Sequence, residues 1–264
     1  MPFDSTGKVS LDHVYTEPDP RPYFATLREL DYQLPQLAKP YFAKLIEERP
    51  QPTVLDVGCS YGVNAALYRC DATMDELYDH YTGEEAGRLD RTGLLDRDRA
   101  LGRSRGARFI GLDSSAPALE YAHAAGFIDD AIPADLERDA PTEHQAALLA
   151  GVDLVVSTGC IGYITERTIA RIADMPDGRR PAMAHFVLRM FSYEPIAESL
   201  AALGYRTTGV AGMVKQRRFA DPREQEQILD ALRANGVEPH ELETEGWLCA
   251  QLYFSEPVET RGQP

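Results

Sequence analysis

Residues 53–62 read Thr53-Val54-Leu55-Asp56-Val57-Gly58-Cys59-Ser60-Tyr61-Gly62. Thr53 to Val57 is a short, mostly apolar, β-branched run, the pattern of a strand buried on both faces. Gly58 and Gly62 then let the backbone turn sharply and approach a ligand closely. Val63, Ala66 and Leu67 follow on one face of a helix. A strand, a glycine turn and a helix together aim free N–H groups and the positive end of the helix dipole at a bound group. The loop has neither the G-x-G-x-x-G of a dinucleotide fold nor the lysine of a P-loop, so pyrophosphate cofactors and nucleoside triphosphates are disfavoured.

Outward from this loop the rhythm repeats. Phe109 to Asp113 reads as a second strand, and an acid at its end suits ribose hydroxyls. Ser114, Ser115 and Pro117 start a helix that Gly126 stops. A short third strand over 129–133 leads to Asp135-Leu136, where an adenine edge fits. Strands follow at 152–157 and 185–190, with a helix at 165–173 and another helical face at Ile196, Leu200 and Leu203. The C-terminal part reads as strand 207–215, helix 222–234 and strand 247–254. Strands alternating with helices predict an α/β fold, a mostly parallel sheet with helices on both faces.

Two stretches depart from the rhythm. Residues 1–32 are rich in proline and aspartate yet carry five aromatics, and Pro18, Pro20 and Pro22 argue against a long helix. They read either as a loose arm or as an arm whose tyrosines cover a pocket. A helical period from Leu34 to Ile46 is interrupted by Pro40, which predicts a break or kink. Residues 71–108 begin as a helix over Asp71–Tyr81 and continue with seven arginines and five acids between Gly83 and Arg108. That mixture predicts a solvated, salt-bridged helical insertion, with a lid as the less favoured reading.

The 264 residues suit one domain, and 27 basic against 42 acidic side chains leave a formal charge of −15. Such a surface repels phosphate backbones, so a small-molecule partner is expected and nucleic acid is not. Cysteines at 59, 70, 160 and 249 form no C-x-x-C pair, so reduced thiols and no metal centre are expected. No apolar run has the length of a signal peptide or a membrane span, so the expected location is cytoplasmic, with no membrane partner.

VLDVGCSYG (54–62), GLDSS (111–115), ADLE (134–137) and DLVVSTGCIGYI (153–164) together resemble the class I S-adenosylmethionine-dependent methyltransferases. The likeness covers about residues 33–256. It implies a Rossmann-like seven-stranded sheet with an antiparallel C-terminal strand, and S-adenosylmethionine as cofactor. Gly58, Ser60 and Gly62 would then surround the methionine moiety, and Asp56 would orient the loop or meet the amino group. Asp113, with Ser114 after it, would bind ribose. Asp135 and Leu136 would hold adenine, and Gly159 would lie near the sulfonium. Ser60 stands where glycine is usual. Gly62 and Asp113 are about 51 residues apart instead of the roughly 20 of a compact unit. STGC at 157–160 is unlike the N-P-P-Y type of enzymes that methylate exocyclic amines of bases.

The implied chemistry asks the protein to align a nucleophile with the departing sulfur and exclude water. Tyr163, His13 and Tyr15 are the candidates for catalytic side chains. Arg189, inside HFVLRMF, and Arg217, in QRRF, are candidates for an anionic substrate, each also able to pair with an acid. His185 reads as a candidate or as a buried structural histidine. The expected activity is methyl transfer to a small molecule. The alternatives are a cyclase in which the cofactor's amino group attacks its own γ-carbon, giving azetidine-2-carboxylate and methylthioadenosine, a non-catalytic cofactor-binding module, and a protein methyltransferase.

Overall fold

In the computed structural model, which describes residues 3–4, 6–103, 106–176 and 180–258, the N-terminal prolines start a helix instead of forbidding one. Pro22 sits in the first turn of α1 (Arg21–Glu29), where its missing N–H has no intrahelical partner to lose. Tyr23, Phe24 and Leu27 of α1 are buried. Ahead of it, residues 3–4 and 6–19 belong to a strap with a short 3-10 turn at Asp12–Tyr15. α2 (Leu34–Glu47) passes through Pro40 as one helix, against the expected break. Pro40 lies on its exposed face, so the buried row Leu34, Ala38, Phe42 and Ile46 is continuous.

The predicted strand–loop–helix units follow. β1 (Thr53–Val57) leads to α3 (Val63–Arg69), and the insertion folds as α4 (Met74–Thr82), α5 (Glu84–Arg88) and α6 (Arg91–Arg99). β2 (Arg108–Asp113) leads to α7 (Ala116–Ala125), with Ser115 capping its N-terminus and Gly126 closing it at φ 76°. β3 (Asp130–Pro133), α8 (Glu143–Ala150), β4 (Leu154–Thr158), α9 (Glu166–Ala173), β5 (Ala182–Leu188) and α10 (Glu194–Ala202) continue the alternation. β6 (Tyr205–Gly209), β7 (Val214–Arg218), α11 (Pro222–Ala234), α12 (Glu241–Thr244) and β8 (Trp247–Pro257) complete the chain.

The strand order is β3-β2-β1-β4-β5-β8-β6, with β7 also paired to β8. The five strands β1 to β5 are mutually parallel, and β8 runs antiparallel to β5, β6 and β7. The expected seven-stranded path is therefore present, and an eighth strand is added. The predicted strand 207–215 is two strands, because the chain turns through 210–213, with Gly212 at φ 94°, before β7 resumes along β8. Order reverses between β1 and β4, which opens a crevice at their carboxyl ends.

The insertion is packed, not solvated. Met74, Leu77, Tyr78 and Tyr81 are buried, and the Tyr81 ring stacks on Phe24 of α1 with centroids 4.4 Å apart. Asp98 is fully buried, 2.6 Å from His80 Nε2, and accepts from the Tyr121 hydroxyl at 2.6 Å. Arg97 donates to the His80 carbonyl, and Arg91 to the Pro18 carbonyl. Its Ser104 and Arg105 lie outside the described residues. Among the described residues, no helix is long and apolar enough to cross a membrane.

Candidate functional site

The crevice holds a cavity of about 520 Å³, within the range of small-molecule sites. One wall is the sheet's: Gly58, Ser60, Asp113, Ser114, Asp135, Leu136 and Gly159 all line it. The strap makes the facing wall, from Lys8 to Thr16, and Tyr15, Tyr23 and Tyr32 complete the cover. The reading of an arm whose tyrosines close a pocket is the one the fold realises. No residue of 71–103 or 106–108 lines the cavity, so the insertion is not its lid.

The loop after β1 is shaped by three left-handed residues, Gly58 at φ 68°, Ser60 at φ 50° and Gly62 at φ 74°. A Cβ on Gly58 would come 2.6 Å from Cys160 Cβ, so only glycine fits between the first and fourth loops. Ser60 is strained there, and the strain is held by its N–H, which donates to Asp113 Oδ2 at 2.8 Å. Asp113 Oδ1 accepts from Ser115 N–H at 2.9 Å. Burial raises the Asp113 pKa, and these backbone N–H bonds oppose the rise.

Two of the expected loop residues stand behind the wall. Gly62 caps α3, and Asp56 is fully buried and does not line the cavity. Asp56 Oδ1 accepts from Asn64 Nδ2 at 3.0 Å, and the same amide reaches Thr158 Oγ1 at 3.1 Å. Burial pushes the Asp56 carboxyl up to about 7, against the lowering effect of the Asn64 bond. Asn64 lines the cavity, so Asp56 acts through it. Asp56 Oδ2, Ser60 Oγ and Asn64 Oδ1 are buried without a partner. Ser60 Oγ and Asn64 Oδ1 belong to residues that line the cavity, and they call for a ligand that donates hydrogen bonds or carries positive charge.

The catalytic candidates separate. Tyr163 and Tyr15 line the cavity, whereas His13 is exposed and does not. The Tyr163 hydroxyl donates to Asp4 Oδ2 at 2.5 Å, and burial with that bond pushes the phenol far above its ordinary range. Burial raises Tyr15 to about 12. Arg189 also fails to reach the cavity: it pairs with the buried carboxylate of Glu243 and donates to the Glu238 carbonyl. His185 is buried and held neutral, its pKa pushed down to about 3 by burial, with Nδ1 2.7 Å from Ser157 Oγ.

Arg217 does line the cavity, but Glu224 holds its guanidinium with bonds of 2.9 and 2.6 Å. A β-bulge between Lys215 and Arg217 explains why Gln216 and Arg217 both face inward, since a regular strand would alternate them. Gly159 sits at φ 82°, a left-handed conformation that favours glycine, with Gln216 Nε2 close against it. Sequence reasoning missed several lining residues, Lys8, Asn64 and Gln216 among them. Asn64 alone carried a local signal, being the second residue of the helix after the loop.

No family model matches the chain, and no curated protein matches it. Among solved structures, it is similar to a TehB-like SAM-dependent methyltransferase from Corynebacterium glutamicum, at 14% identity, TM-score 0.41, covering 80% of this chain and 85% of that one. It is similar to the magnesium protoporphyrin IX methyltransferase of Synechocystis, at 13% identity, TM-score 0.44, with coverage of 85% and 79%. A third likeness is to the [4+2]-cyclase SpnF, at 15% identity, TM-score 0.42, with coverage of 83% and 80%. The strand order and the cavity define the class of this chain as a doubly wound α/β protein with its site at the carboxyl ends of β1, β2 and β4.

Proposed function

We propose that the cavity binds S-adenosylmethionine and that the chain is a methyltransferase acting on a small molecule. The observation that carries this reading is the charge of the sheet wall. Asp113, Asp135 and Glu137 line it, with Asp56 behind Asn64, so it suits a cationic, hydroxyl-bearing nucleoside and repels phosphate. Asp113 keeps lone pairs for two ribose hydroxyls after accepting its two N–H groups. Asp135 and Leu136 would hold adenine, and Gly58, Ser60, Asn64 and Gly159 would hold the methionine part. When bound, S-adenosylmethionine supplies a methyl group already activated on sulfur.

The protein's share is enclosure and alignment. The strap and the Tyr15, Tyr23 and Tyr32 rings would shield the reacting groups from water, and a cavity of this size supports a small-molecule acceptor. Tyr163 is a poor base here, since a phenol bonded to a carboxylate holds its proton. The same cover favours a second reading, consumption of S-adenosylmethionine without an acceptor to give azetidine-2-carboxylate and methylthioadenosine.

Calorimetry with S-adenosylmethionine tests the cofactor. Asp113→Ala is expected to weaken binding by about 10–100-fold, the loss of hydrogen bonds to a charged acceptor. Unchanged affinity removes the ribose assignment. Mass analysis of the protein incubated with S-adenosylmethionine alone separates the two activities: azetidine-2-carboxylate with methylthioadenosine above the spontaneous rate supports the cyclase, and S-adenosylhomocysteine formed only with an added acceptor supports the methyltransferase.

A further inference from the structure

Lys8 carries a buried charge on the strap's inner face that no hydrogen bond or ion pair among the described residues answers. The residue is 6% exposed and lines the cavity, and its ammonium makes no hydrogen bond or ion pair among the described residues. Two rings lie against it, Tyr163 at 4.2 Å and Phe191 at 5.7 Å from the ring centroids. The nearby carboxylates are committed. Asp4 accepts from Tyr163, Thr6 and the Lys8 N–H, and Glu224 accepts from Arg217, Val9 and Ala220. These bonds fix the strap on both sides of Lys8. The fold thus spends two carboxylates on holding an unpaired cation inside a cavity, a costly arrangement unless a ligand supplies the partner.

We propose that Lys8 is a carboxylate-binding residue, delivered by the strap to the wall opposite the glycine loop. This rests on the S-adenosylmethionine reading above. The carboxylate has two sources, the amino-acid end of the cofactor or a carboxylate on the acceptor. The groups facing Lys8 are Asp4 on the strap, Tyr163 and Cys160 after β4, Arg217 on β7 and Glu224 on α11. Asp4 and Glu224 are held below their ordinary values, and burial raises Cys160 to about 12 and Tyr163 further, so none of these four titrates between pH 7 and 9. Burial, helped by the Arg217 charge, lowers Lys8 itself to about 8. Carboxylate binding that needs the ammonium therefore weakens as pH rises from 7 to 9.

Calorimetry on the wild type, Lys8→Arg and Lys8→Met decides it. The probes are S-adenosylmethionine, methylthioadenosine, and the pair benzoate and benzamide, the last two on protein with and without S-adenosylmethionine. If the cofactor supplies the carboxylate, Lys8→Met weakens S-adenosylmethionine by about 10–100-fold and leaves methylthioadenosine unchanged. Lys8→Arg then keeps the affinity and shows a shallower fall between pH 7 and 9, what remains being the titration of the ligand's own α-ammonium. If the acceptor supplies it, S-adenosylmethionine binds all three alike, and a preference of at least about tenfold for benzoate over benzamide disappears in Lys8→Met. A Lys8→Met protein that matches the wild type for every probe overturns the proposal. A wild type that does not bind S-adenosylmethionine overturns the cofactor reading instead, and the benzoate–benzamide comparison on unloaded protein still decides Lys8.

Discussion

The two walls of the cavity are built on opposite plans. The sheet wall is backbone held by backbone: β1 pairs with β2 and β4 in parallel register, and its loops sit where those strands end. The strap wall has no such ladder across its inner face. Scaffold side chains grip its peptide groups one at a time. The Tyr61 hydroxyl donates to the Val14 and Glu17 carbonyls at 3.1 and 2.8 Å, Ser115 Oγ to the Tyr15 carbonyl at 2.5 Å, and the Val9 N–H donates to Glu224 at 2.8 Å. A wall of the first kind fails only when the sheet unfolds, whereas one of the second kind detaches while the sheet stands.

Breaking the strap's buried anchor tests that contrast most severely. Glu224→Ala leaves Arg217 5% exposed without its carboxylate and frees the Val9 N–H, and it is expected to cost about 3–5 kcal/mol in chemical denaturation. Limited proteolysis should cut first within residues 6–19. Cleavage appearing first in the sheet would show that the two walls are one cooperative unit. The sheet wall is probed by pH. Asp56 is raised to about 7 when folded and lies near 4 when unfolded, so between these values the folded state holds a proton that the unfolded state has released. Asp56 therefore contributes a fall in stability as pH rises from 4 to 7, which His185, neutral in the fold down to about 3 and protonated in the unfolded chain below about 6.5, opposes with a rise. Asp56→Asn should leave the rise from His185 opposed only by Asp113, whose pKa is also raised, so stability should climb more steeply with pH over this window than in the wild type. A slope equal to the wild type's would mean that Asp56 is not the buried proton. The smallest effect is expected at the strap's outer end: Tyr163→Phe deletes the bond to Asp4 and keeps the ring under Lys8, so stability should change by less than about 1 kcal/mol. Turnover should persist in this variant, and its loss would restore Tyr163 as a catalytic residue.

The same division decides what was legible in the sequence. Asp56, Gly58, Asp113, Ser115, Gly126 and the Thr165 cap of α9 belong to local strand–loop–helix signals, readable within a dozen residues. Gln216 could not be placed, because its direction depends on a bulge set by pairing with β8, about 30 residues further on. Arg189 looked available because its partner Glu243 is supplied by the distant α12. The insertion looked solvated because its arginines are dense, yet several of them end on backbone carbonyls such as His80 and Ala124, which no charge count shows. Lys8 sits among Gly7, Val9 and Ser10 with no periodicity, and only the closed strap gives it a role.

The strap's tethers also bear on time. Residues 8–16 form one wall of the cavity, so a ligand that enters on that side waits for Tyr61, Ser115 and Glu224 to release their carbonyls and N–H together. Association in stopped flow should then level off with ligand concentration at the opening rate, far below encounter by diffusion.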